Sequence, residues 1–156
     1  MTLNKRFLNW VFYPNYTSIP NMILLENSVL KLEYNPATDI LQVRYPDLQS
    51  MHLSEIQHNL DIMVETIRNY DVRKLLLDAS YTSVEVDDAE NRKLNLNLAA
   101  QLAKTRLVKL ARIQPVSRER AIKAQRNIEE LQRSGLIPYE LRTFTSHAEA
   151  LAWLQE

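Results

Sequence analysis

The run KLLLDA at residues 74–79 constrains the fold more than any other stretch of the chain. Three consecutive leucines in an extended segment put side chains on both faces of a sheet, so such a strand needs a covering layer above and below. The preceding stretch can supply one layer. Between residues 53 and 70 the apolar positions are Leu53, Ile56, Leu60, Met63, Ile67 and Tyr70, a spacing that gathers one apolar stripe on a helix. An amphipathic helix leading into a doubly covered strand is the repeating unit of an α/β fold.

The same alternation continues in both directions. Upstream, MILLE (22–26), VLKLEY (29–34) and DILQVRY (39–45) read as strands, the last two joined by a turn at Asn35-Pro36-Ala37-Thr38. Downstream, a helix is expected from about residue 88 to 104, with Asp87 at its N-cap and Glu90 completing a capping box. LVKLARI (107–113) is a strand stopped by Pro115. Ser117 then caps a helix that ends at Gly135, and YELRTF (139–144) is the last strand. Ser146 and Glu149 open a closing helix that carries Ala150, Leu151, Trp153 and Leu154. The expected architecture is a β-meander, then helix–strand units, forming a mixed, mostly parallel sheet with helices packed over it.

The first 21 residues differ in character from residues 22–156, which read as one domain. Phe7, Trp10, Phe12, Tyr13 and Tyr16 are five of the twelve aromatic residues in the chain. Aromatics bury enough surface to offset the entropy of ordering, so this arm is expected to dock on its own domain or on a partner subunit. A homodimer through Phe7, Trp10 and Phe12 is the corresponding expectation for partners.

Composition removes several chemistries. Gly135 is the only glycine, and phosphate-cradling loops, dinucleotide fingerprints and nucleophile elbows need several where the backbone approaches a ligand. With no cysteine there are no disulfides, thiolate metal sites or cysteine nucleophiles. Lys plus Arg number 19 and Asp plus Glu number 19, so no net charge points to nucleic acid or a membrane surface. No apolar run approaches the roughly 20 residues of a spanning helix, and no cleavage site follows the N-terminal apolar stretch. A cytoplasmic location is expected.

From Met22 to Glu156 the chain resembles the STAS-like domains, the fold of bacterial anti-sigma-factor antagonists. The hairpin before the first helix, the strand KLLLDAS and the closing FTSHAEALAWL carry the resemblance. It looks most like a bacterial, uncharacterised subgroup of small STAS-like proteins. In the antagonists a phosphorylatable serine opens the helix that follows the strand-ending Asp. Here Asp87-Asp88-Ala89-Glu90 occupies that place, with no Ser or Thr. The resemblance therefore implies the fold without the phospho-switch. The two aspartates are read as helix-start acids favoured by the macrodipole, or as a fixed mimic of the phosphorylated state.

Asp78 ends its strand where α/β sheets place ligands. It is read as an acceptor in the following turn, as a counter-ion to Arg112, or as a general acid or base with Ser80, Tyr81 or Thr82 nearby. His52, His58 and His147 do not have metal-ligand spacing, and Ser117 has no histidine in a motif-like relation to it. No metal or cofactor is expected.

Positive charge is the feature that stands out. Residues 104–133 hold nine basic residues against Glu119, Glu129 and Glu130. Glu119 with Lys123, and Arg126 with Glu130, have the spacing of pairs along one helix. Arg118 and Arg120 sit in a first helical turn, where the macrodipole disfavours cations. Arg112 shares strand parity with Val108 and Leu110 and so points toward the face they bury, where the domains this chain resembles are expected to carry an apolar residue. Arg112, Ser117, Arg118, Arg120 and Asp78 form the candidate anion-binding set.

The function expected from these features is a non-enzymatic regulatory or protein-interaction module. The alternative is a carrier or sensor of a small anionic or lipid-like ligand bound at the strand carboxyl ends.

Overall fold

The computed structural model describes residues 20–45, 51–82 and 87–156. The aromatic arm, with Phe7, Trp10 and Phe12, lies outside the described residues apart from its last two.

Six strands form one sheet in which each pairs with its neighbour in the chain: β1 (Met22–Glu26), β2 (Lys31–Asn35), β3 (Ile40–Arg44), β4 (Lys74–Asp78), β5 (Lys109–Ile113) and β6 (Glu140–Phe144). The first three run antiparallel, and β3 to β6 run parallel. The four helices are α1 (Leu53–Asn69), α2 (Asp88–Leu102), α3 (Arg118–Ser134) and α4 (His147–Gln155). The mixed, mostly parallel sheet and the element order expected from the sequence are the ones observed. The β2–β3 turn is tied by Asn35 Oδ1, which accepts from the Ala37 amide at 2.9 Å, and by the Tyr34 hydroxyl, which donates to Asp39 Oδ1 at 2.9 Å.

The leucine run of β4 divides the core. Leu75 and Leu77 join Leu32, Leu41, Val43 and Leu110 beneath the apolar stripes of α1 and α2. Leu76 points the other way, with Ile40, Ala111 and Ile113, into a smaller core closed by Ala150, Trp153 and Leu154 of α4. The Trp153 ring is flanked by the ammonium of Lys109 at 4.9 Å and the guanidinium of Arg142 at 5.0 Å, a geometry in which the ring faces attract both cations.

Helix ends follow local chemistry. Asp87 Oδ1 accepts from the Glu90 amide at 2.7 Å, and Ser146 Oγ accepts from the Glu149 amide at 3.4 Å, as the capping patterns anticipate. Gly135 terminates α3 with φ of +71°, the left-handed conformation that needs no Cβ. Ser117 stands at the N-cap of α3, but its hydroxyl makes no capping bond.

The charge pairs expected along α3 do not form. Lys123 instead reaches Asp88 on α2 at 3.5 Å, and Glu130 accepts from Arg92 of α2. The side chains involved are all close to half exposed or more, so these bridges tie two helices together at little energetic gain. They lie where α2 and α3 face each other.

Candidate functional site

Arg112 is the unusual residue of the sheet. Across the strands the register runs Leu32, Val43, Leu77, Arg112, Thr143, each the partner of the next. Paired residues share a face, so this row looks toward α1 and α2, and Leu32, Val43 and Leu77 bear out that direction by their burial. Arg112 is the single charged residue among the strand positions on that face. The parity with Leu110 predicted its direction correctly. Val108 was a poor guide, because it precedes the strand and is exposed.

Among the described residues the guanidinium forms no ion pair. Arg112 Nη1 is buried and has no hydrogen-bond partner, and the same is true of Thr143 Oγ1 next to it in the row. Burial draws the Arg112 pKa below its ordinary value, an effect partly opposed by the nearby Tyr45. Arginine nonetheless stays charged in proteins. Tyr45 follows β3 and packs against the larger core. Burial of its hydroxyl raises its pKa, and the Arg112 charge only partly offsets this, so it remains a neutral hydroxyl able to donate. Arg112 thus has the Tyr45 hydroxyl within electrostatic reach on one side and Thr143 as its register partner on the other, at the carboxyl ends of the strands. Arg112 as a whole is only partly buried, but its enclosed Nη1 finds no acceptor among the described residues, which is costly for a charged donor.

The other members of the candidate set lie elsewhere. Asp78 is not the counter-ion of Arg112. In register Leu77 partners Arg112 and Asp78 partners Ile113, so the sheet separates the two side chains. The Asp78 carboxylate accepts from the Ser80 amide at 3.0 Å and the Ser80 hydroxyl at 2.5 Å, which makes it the cap of the turn that follows β4. It also lines a cavity of about 260 Å³ on the opposite face, with Lys31, Glu33, Gln42, Arg44 and His147. Ser117, Arg118 and Arg120 are exposed at the start of α3, and among the described residues the two arginines form no ion pair.

Thr143 and Tyr45 were not foreseen as site residues. Both became relevant only through register: nothing in YELRTF indicates which strand Thr143 faces across. Among the described residues, no three His, Asp or Glu side chains are grouped as a metal site would require, and no helix is long and apolar enough to cross a membrane.

Fold and site together define an α/β domain with a partly buried arginine near the carboxyl end of its sheet. Among solved structures it is similar to an uncharacterised protein of the DUF3478 family from Shewanella loihica PV-4, which has a SpoIIAA-like fold. The TM-score is 0.44 at 15% identity, over 88% of this chain and 94% of that one. Identity at this level says nothing of ligand or activity. No protein-family model matches the chain, and no curated protein matches it.

Proposed function

We propose that this chain is a non-enzymatic binding domain of STAS-like type, which takes the anionic group of a small ligand at Arg112. The observation that carries this reading is the buried Nη1 of Arg112, unbonded among the described residues, on a face whose strand positions carry no other charge. An anion would supply both the missing acceptor and the missing charge. The position also suits it, since ligands of open α/β sheets gather beyond the carboxyl ends of the strands. With Asp78 fixed in its turn, the only proton-transfer groups among the described residues near Arg112 are hydroxyls, which supports binding over catalysis.

A second reading, a protein-interaction module, draws on one surface feature. Val116 and Ile122 are exposed beside Arg118 and Arg120, a mixed basic and apolar patch suited to an acidic partner.

Native mass spectrometry of freshly purified protein, beside a denatured portion, tests the first reading. A non-covalent mass in the wild type that is absent from Arg112→Met supports it. The same bound mass in both proteins would exclude Arg112 as the holder.

A further inference from the structure

Arg112 and Thr143 together say which anion fits. Resting on the anion-binding reading above, we infer that the ligand is a monocarboxylic acid with an apolar body, its carboxylate shared between the Arg112 guanidinium and the Thr143 hydroxyl.

The first argument is charge. Along the row from Leu32 to Thr143, and along the neighbouring row Tyr34, Leu41, Leu75, Leu110, Leu141, Arg112 is the sole ion. A monoanion neutralises it one for one. A phosphate monoester carries about −1.5 to −2 at neutral pH and would leave a net negative charge among leucines, the situation that burial penalises most.

The second argument is donor count. The described site offers two unsatisfied donors, a terminal guanidinium nitrogen and the Thr143 hydroxyl. A carboxylate has two oxygens to engage these donors, whereas the three terminal oxygens of a phosphate need more than this site supplies. Thr143 matters in its own right. It neighbours Arg112 in register, and its Oγ1 is equally buried and equally unbonded. Two neighbouring orphans on one face are both satisfied by a single acceptor placed between them. The apolar body follows from the walls, since Leu77 and Leu110 adjoin Arg112 and the ring of Tyr45 packs into the same core.

Titration calorimetry at neutral pH with octanoate, 4-phenylbutyrate and octyl phosphate tests this on the full chain. Octanoate against 4-phenylbutyrate separates a straight-chain acid from an aromatic one. At least one acid is expected to bind about tenfold or more tighter than octyl phosphate, and Thr143→Val should weaken that acid by about tenfold, as loss of a bond to a charged group does. Thr143→Ser, which keeps the hydroxyl, should retain the affinity and so separates lost bonding from lost packing. Octyl phosphate binding as tightly as the acids, or Thr143→Val binding the acid as well as wild type does, overturns the inference. If that binding still vanishes in Arg112→Met, the anion reading survives alone. If no probe binds, or if Arg112→Met binds as wild type does, both fall.

Discussion

Arg112 and Thr143 are register partners on β5 and β6, face the same helices, and each ends in a buried polar atom without a hydrogen bond. Folded proteins rarely leave one such atom, and here two stand side by side in register. The anion reading rests on Arg112, and the choice of a carboxylate rests on the pair.

Removing the charge should stabilise the ligand-free protein. Arg112→Met exchanges a partly buried cation, whose Nη1 finds no acceptor among the described residues, for an apolar side chain of similar length, which removes an uncompensated desolvation cost of about 1–3 kcal/mol. A urea titration is expected to show a higher midpoint for the variant and an unchanged slope. A midpoint lower by a similar amount would mean that a carboxylate of the chain, from outside the described residues, already serves Arg112. Asp78→Asn, across the sheet, should leave ligand binding at Arg112 intact.

Two helix caps that look alike in sequence should behave differently. Asp87→Ala removes a 2.7 Å bond to the Glu90 amide and is expected to cost about 1 kcal/mol. Ser117→Ala removes a hydroxyl that makes no capping bond, and its urea midpoint should match wild type.

Gly135 is required for its conformation rather than for space. A Cβ there meets nothing within 4 Å, yet φ is +71°. Gly135→Ala should therefore destabilise by about 1–2 kcal/mol, and Gly135→Asn by less, because asparagine tolerates the left-handed region. Equal losses for both would point to a contact rather than to backbone strain.

Alkaline stability should report the buried phenols. Burial pushes the Tyr139 hydroxyl up to about 12, from an ordinary value of 10. The folded state holds its proton where the unfolded state releases it, so the stabilisation is complete below pH 10 and declines as pH rises toward 12. Midpoints measured across that window should fall less steeply in Tyr139→Phe than in wild type. Parallel slopes would place the loss at Tyr45, whose pKa is shifted in the same direction, or at the basic residues.

The fold was more legible in the sequence than the site. Apolar spacing in residues 53–70 and the leucine run of β4 fixed element types, and Asp87, Gly135 and Ser146 marked helix ends where they occur. All of these are signals within one element. Arg112 could be singled out for the same reason, since parity with Leu110 is also local. What could not be read was anything decided between elements. Asp78 and Arg112 end adjacent strands, and only the pairing of Leu77 with Arg112 shows that their side chains diverge. Thr143 gains its importance from a strand some 30 residues away, at the far side of α3. The helix charges illustrate the same limit: sequence spacing offered Lys123 a partner within α3, and packing gave it Asp88 on α2 instead.

The placement of α4 has a consequence for how the chain is made. Each strand pairs with the one before it, so the sheet and the core beneath α1 and α2 can assemble in the order of synthesis. The reverse face cannot. Ile40, Leu76, Ala111 and Ile113 wait for Ala150, Trp153 and Leu154, which are translated after all six strands. Throughout elongation a growing chain carries an uncovered apolar strip, and a ribosome that stalls ahead of α4 would release a product able to stick to its own copies through that strip.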